Sequence, residues 1–564
     1  MSSPRGAAAL AAAAVLARVA LASMGWGETL SARLELASPA DSVLRLREGH
    51  ALVAIGQSPY GGSMLHAPPL VLLLLGPLVA DAPVSLTATL PFIAADVLTA
   101  FALFGIARVF SSSSCSSSCF SSSDEGEDED DKTAKKKGAA ASKSTASDGD
   151  GEGAGDGAFA TTPLFVAALY LANPMSVASC VACTTAGMQT AAIVGACYGA
   201  VTRKPQLAGA GLATAAYLGG FRHAMLIVPL TLALARGVDR EWWMERRRRQ
   251  RRSPGGGTEE ATTATPAAVA GDGDGVGVTT ARGPSKGMED SGTRAGMRRR
   301  KGARRVEDGG GAGEEGGRSG EAGLASGGGG AGAGGMGGDG CCGFAVGEAA
   351  AHLSAWTVTW GVLLVALSST AFGHLTTTRE WFDATYGFLL SADDLSPNLG
   401  IYWYFFTEMF DNFRVFFLFV FHAFAPFLAV LVLIRLVERR PLFCVFLIVL
   451  LSGMFHPYPT FGDAARHIAF LPLFGRQLAG SMTTGFLIAC GYVFVALLSP
   501  IFWQLWTYSR VANANFFFAV TLAYLATQST LAIGCVAATI EHDRREKLLH
   551  CTSTTTRRKM KRKE

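Results

Sequence analysis

The chain has 564 residues, 49% of them apolar and 17% charged, with a formal net charge of +4. Charge that sparse lies below the quarter usual in soluble domains, and the apolar residues gather in long runs. An ordinary soluble multidomain protein is thereby excluded.

Ten apolar runs follow one another along the chain, at 6–24, 85–109, 164–181, 188–201, 224–235, 355–372, 415–436, 442–455, 485–506 and 516–540. A bilayer core takes about 20 apolar residues per helix, so the shorter runs read as half-membrane helices or as crossings interrupted by polar residues. About ten to twelve transmembrane helices are expected. Lipid satisfies no backbone polar group, which makes the expected fold class an all-α polytopic membrane protein.

Residues 1–110 divide into a first crossing, a lumenal loop, a half-membrane helix and a second crossing. The first run carries Arg5 and is interrupted by Arg18, and it reads as an uncleaved crossing rather than a signal peptide. Four acids lie in the loop, Glu28, Glu35, Asp41 and Glu48, and none has a partner two residues away. Asp41 or Ser42 is the expected N-cap of "SVLRLREGHALVAIG". After the turn "SPYGG", His66 is either a contact for a headgroup phosphate or a satisfied interfacial histidine. Asp96 sits mid-membrane, where an acid needs an interior partner; Arg222, which interrupts a later apolar region, is the expected mate.

Residues 111–157 are a Ser-rich, then acidic, then Gly-rich insert, and 245–343 are an Arg- and Gly-rich one. Neither composition can bury enough apolar surface to offset chain entropy, so both are expected to be disordered. Between them, 158–244 form transmembrane helices; 344–543 form more, with short lumenal loops; 544–564 are a basic tail. Basic clusters at Arg203-Lys204, 246–252, 298–305, 435–440 and 544–563 assign the inserts and both termini to the cytosol. The arginine runs read as topology anchors beside a membrane, with no nucleic-acid role. Cys180 and Cys183 spell C-x-x-C without a second pair at zinc spacing and read as packing residues.

The stretch "SPNLGIYWYFFTEMFDNFR" puts acids beside lipid. Tyr404, Glu408 and Asp411 fall at i, i+4 and i+7, one face of a continuous helix, and Asp411 is three residues from a potential partner, Arg414. Such a stripe lines a cavity for a glycolipid headgroup, clamps a partner helix, or holds the bundle together. Asn513 and Asn515, in "RVANANFFF", offer amides suited to sugar hydroxyls and phosphate, and either serves as a helix cap. In "HPYPTFGDAARH", Asp463 is the expected N-cap and Arg466 a phosphate contact. No P-loop, G-x-S-x-G or H-E-x-x-H occurs, and neither a metal nor a cofactor is expected.

Several stretches together, "SPYGGSMLHAPPL", "ADVLTAFALF", "YLANPMSVASCVA", "YGFLLSADDLSPNLGIYWYFFTEMFDNF", "YPTFGDAARHIAFLP" and "ANANFFFAVTL", resemble the PIG-U family, the multi-spanning subunit of the GPI transamidase complex. The resemblance implies a fold similar to the lipid-linked-sugar glycosyltransferases (GT-C) without their catalytic carboxylates. It implies a non-catalytic subunit in the endoplasmic reticulum membrane that helps recognise the GPI glycolipid, the precursor protein's C-terminal signal, or both. Its implied partners are the other transamidase subunits, including the caspase-like cysteine protease subunit. The alternative is a dolichol-phosphate-mannose-dependent mannosyltransferase of GPI biosynthesis, which would need a carboxylate pair in the first lumenal loop. A transporter would need an inverted repeat, and none is visible.

Overall fold

The structure, a computed structural model, describes residues 4–80, 84–118, 162–237, 345–479 and 482–560, and among them there is no strand. The first part of the chain forms α1 (Pro4–Ser23), α2 (Trp26–Ser31), α3 (Val43–Ala54), α4 (Pro69–Val79) and α5 (Leu86–Ser118). The second forms α6 (Pro163–Ala172), α7 (Pro174–Val181), α8 (Ala186–Val201), α9 (Pro205–Gly219), a 3-10 turn at Phe221–Leu226, and α10 (Ile227–Arg236). The third opens with α11 (Val346–Ala371), α12 (Thr378–Phe382), α13 (Phe388–Ser391), α14 (Tyr402–Glu408) and α15 (Asp411–Leu436). It continues through α16 (Pro441–Met454), α17 (Phe461–Ile468), α18 (Gly475–Ala479), α19 (Gly485–Thr507) and α20 (Ala514–Met560). Helix α5 carries on past the expected start of the first insert; the rest of 111–157 and all of 245–343 lie outside the described residues.

Each of the ten apolar runs is helical. By length and composition, 6 helices can cross a membrane, or up to 7 if α6 and α7 count as one span bent by 53°. The other expected crossings fall on shorter helices. Helix α16 shows why composition alone overstates the count: every residue from Leu442 to Met454 is buried. A helix apolar on all sides is as much the mark of a protein core as of a lipid crossing. By contrast, α11 and α15 leave most of their apolar surface uncovered.

Local chemistry sets the breaks. Asn173 precedes Pro174, whose ring pushes the preceding residue out of the helical region, and Asn173 has ψ 118. Its side chain then accepts a hydrogen bond from Met175 N at 3.0 Å, so one residue ends α6 and caps α7. Helix α9 was not anticipated. Its glycines and alanines give a weak hydropathy signal but allow close packing between α8 and α11. At Gly209 a Cβ would lie 2.5 Å from Trp356 Cβ. Gly220, with φ +78, ends α9 and turns the chain into the 3-10 segment that carries Arg222.

The interior acid has a partner, but not the expected one. Asp96 on α5 meets Arg18 on α1, with Nη2 at 2.8 Å and Nε at 2.9 Å from Oδ2. Tyr170 on α6 donates its hydroxyl to Oδ1 at 2.8 Å, and Arg18 Nη1 donates to the Leu171 carbonyl at 3.2 Å. Both side chains of the ion pair are almost wholly buried. Arg222 pairs elsewhere: its guanidinium reaches Asp463 on α17 and Gln189 on α8. Cys180 and Cys183 are buried free thiols, as the packing reading expects.

Removing one partner of a buried ion pair strands the other charge at a cost of about 3–5 kcal/mol. Arg18→Leu is therefore expected to lower the thermal unfolding temperature of the detergent-solubilised chain, and adding Asp96→Leu should recover much of the loss. If the single variant melts with wild type, the pair does not tie α1 to the bundle.

Candidate functional site

The predicted site residues separate into two places, an exposed rim and a buried polar cluster. The rim starts from a break. Met409 and Phe410 adopt extended backbone, with ψ 155 and 137, and divide α14 from α15. The helical face expected to join Tyr404, Glu408 and Asp411 is thus interrupted, because the spacing assumed one continuous helix. Glu408 ends one helix, Asp411 begins the next, and both are exposed. Nor does Asp411 hold Arg414. That guanidinium lies 3.7 Å from Asp393, donates to the Ser391 and Ala392 carbonyls at 3.1 and 3.0 Å, and covers the Phe406 ring at 5.3 Å.

What the fold adds is α20. Asn513 caps it, its side-chain oxygen accepting from Asn515 N at 3.1 Å. The Tyr404 hydroxyl donates to Asn515 Oδ1, joining α14 to the start of α20. Tyr404 also stacks on Phe518 with ring centroids 4.1 Å apart. Beside it Trp403 stacks on Trp506 at 6.1 Å, and its buried indole N–H has no partner among the described residues. Three residues distant in sequence, Tyr404, Asn513 and Asn515, therefore form one unit on an aromatic floor. Both amide oxygens are used internally, which leaves two exposed NH₂ groups as donors.

Arg466 does not reach a surface. It is 2% exposed, with Nη1 at 2.8 Å from Asp463 Oδ1, Nη2 at 3.0 Å from Gln189 Oε1 and Nε at 3.3 Å from Thr190 Oγ1. Arg222 Nη2 lies 3.5 Å from the same Asp463 oxygen and 3.2 Å from Gln189 Oε1. Asp463 is not the N-cap. It stands at the third helical position of α17 and accepts the Thr460 N–H at 3.0 Å, a capping box with Thr460 as the cap. Gln189 and Thr190, the hub of these contacts, were missed by sequence reasoning; a glutamine in the otherwise apolar and small-residue helix α8 was the available signal.

A cavity of about 20 Å³ opens within this cluster, room for a water molecule, with Ser38, Asp41, His456 and Tyr458 on its walls. Ser42, not Asp41, caps α3. Asp41 accepts from both Ser38 N and Ser38 Oγ at 2.7 Å. Burial pushes its carboxyl from 3.8 up to about 7, and the nearby Asp463 charge adds to the rise. Burial would raise Asp463 as well, but Arg466 and Arg222 outweigh it and hold that group below the usual carboxylate range. Burial pushes His456 and His467 down to about 3, so both are neutral. Two of the other loop acids are structural: Glu28 accepts from Val84 N at 3.1 Å and Glu35 from Ser499 Oγ at 2.8 Å, while Glu48 is exposed. His66 is also interior, donating from Nδ1 to the Ala384 carbonyl at 2.8 Å and stacking on Phe388, which stacks on Tyr458. Among the described residues no three His, Cys, Asp or Glu side chains are grouped to hold a metal ion.

A family model described as "GPI transamidase subunit PIG-U" matches residues 12–268 and 344–524. The "GPI-anchor transamidase component PIGU" of Cricetulus griseus is 38% identical over 183 residues, covering 31% of this chain and 41% of the relative. That of Homo sapiens is 37% identical over 183 residues, with the same coverage, 31% and 41%. The "GPI transamidase component GAB1" of Saccharomyces cerevisiae is 35% identical over 170 residues, 29% of this chain and 43% of the relative. The chain spans about two fifths of the length of the curated relatives it matches.

The titration of Asp41 has a defined sign. Between pH 4 and 7 the folded state holds a proton that the unfolded chain has lost. Stability from this group therefore falls as pH rises through that window and levels off above it. Asp41→Asn keeps the shape and the Ser38 hydrogen bonds while removing the titration. Melting temperatures of variant and wild type should diverge, in the variant's favour, from pH 4 to pH 8. Parallel curves would show that Asp41 does not carry the proton.

Proposed function

Because the chain belongs to the PIG-U family, we propose that it acts as a non-catalytic subunit of GPI transamidase in the endoplasmic reticulum membrane. In this reading it helps recognise the GPI lipid, the C-terminal attachment signal of a precursor protein, or both. The other subunits of the complex, including the caspase-like cysteine protease subunit, are its partners and supply the chemistry.

The observation that carries the reading is the rim built from Tyr404, Asn513 and Asn515. Its exposed amide donors suit phosphate and sugar oxygens, and its aromatic floor suits the boundary where a glycolipid headgroup meets its tails. Glu408 and Asp411 add exposed acceptors for an amine such as the ethanolamine of a GPI lipid. The far ends of α15 and α20 carry the basic residues Arg435, Arg439, Arg544 and Lys547, so the positive-inside rule favours a lumenal rim. Arg466 is buried and so has no part in direct contact; with Arg222 and Asp463 it holds the interior together. The mannosyltransferase alternative draws no support from the family match or from the relatives.

The test is Asn513→Ala with Asn515→Ala in cells lacking the endogenous protein. Two lost hydrogen bonds of about 1 kcal/mol each predict GPI attachment to a reporter reduced about tenfold or more, with co-purification of the other subunits unchanged. Normal attachment would remove the rim from substrate recognition.

A further inference from the structure

At the opposite end of the same two helices lies a second cavity, of about 210 Å³, enclosed by the last turn of α15, the residues after it, and α20. Its walls carry Arg435, Arg439, Arg544 and Lys547, with Asp543 between them. The acid does not neutralise this set. Asp543 is held by Arg440 at 2.6 Å and lies 3.7 Å from Arg439. Arg435, Arg544 and Lys547 have no carboxylate partner among the described residues, and all three are exposed. Three cations with no carboxylate partner among the described side chains, set around one concavity, repel one another unless an anion sits among them. The C-terminal carbonyls of α15 favour cations there, but they are too weak to neutralise three full charges.

Position decides which anion. The apolar span of α15 ends at Leu436 and that of α20 at Arg545, so the cavity stands where both helices leave the apolar layer. Its floor is apolar, formed by Leu436 and Ile540. Leu431 and Ile434, which precede Arg435 in the apolar span of α15, are 50% and 78% exposed, and Ile540 is 40% exposed, an uncovered apolar flank beside the cations. A free phosphate would use the cations and ignore that flank. A phospholipid uses both, its phosphate among the guanidinium groups and its acyl chains along the apolar side. We propose that this cradle binds the phosphorylated headgroup of an anionic phospholipid in the leaflet at the basic end of the bundle. The site is independent of the rim and holds the ends of α15 and α20 against that leaflet.

The test uses the full chain in neutral detergent, titrated with dioctanoyl phosphatidylinositol 4-phosphate. Arg544→Gln with Lys547→Gln should weaken binding roughly thirtyfold, about fivefold per cation removed, and Lys547→Gln alone about fivefold. Both residues are exposed, so the melting temperature should not change. Arg247→Gln with Arg248→Gln removes the same charge from the run at 246–252 and should leave the tight binding intact. Three results would overturn the proposal: equal binding of dioctanoyl phosphatidylcholine, equal loss in the 247/248 control, or unchanged binding in the 544/547 variant. Equally tight binding of the soluble glycerophosphoinositol 4-phosphate would overturn the lipid assignment in favour of a soluble anion.

Discussion

A charge inside an apolar bundle must be answered by another charge and by directed hydrogen bonds, and that requirement organises this protein. Arg18 cannot be buried on α1 unless Asp96 on α5 faces it, and Asp96 in turn takes the Tyr170 hydroxyl of α6. One ion pair thus fixes the mutual rotation of three helices that apolar contacts alone would let slide. The same logic recurs at Asp463, which gathers Arg466 from its own helix and Arg222 from the 3-10 turn, with Gln189 of α8 accepting from both arginines.

These interior networks explain why the rim can be polar without being unstable. The break at Met409–Phe410 ends one helix and starts another, and Trp403 keeps the short α14 packed on α19 and α20. With the backbone held in this way, the two asparagines present their NH₂ donors outward at little ordering cost. Buried tyrosines and tryptophans serve the interior, and the amide NH₂ groups of Asn513 and Asn515 stay exposed. The two ends of α15 and α20 consequently differ in kind. One end is aromatic, amidic and acidic; the other is a cluster of guanidinium and ammonium groups over an apolar flank. A single pair of helices therefore carries two ends of different chemistry.

Some of this was legible in local sequence and some was not. Ten apolar runs became helices because apolarity over ten or more residues is itself the physical cause of burial. The asparagine before α20 caps it, since capping needs only residues two or three positions away. Helix α9 was invisible because glycine and alanine carry little hydropathy; their value lies in the closeness they permit to neighbours. The kink at Asn173-Pro174 had a local signal, which a reading of 164–181 as one run passed over.

What the sequence alone determined is the all-helical membrane class, the family resemblance, and the need for an interior partner at Asp96. Those follow from composition, from motif order, and from the cost of an unpaired charge. Which partner answers Asp96, where Arg466 goes, and that Tyr404 meets Asn515 were decided only by tertiary structure. Each depends on which helices become neighbours, and residues 78, 277 or 111 positions apart carry no local mark of the contact they will make.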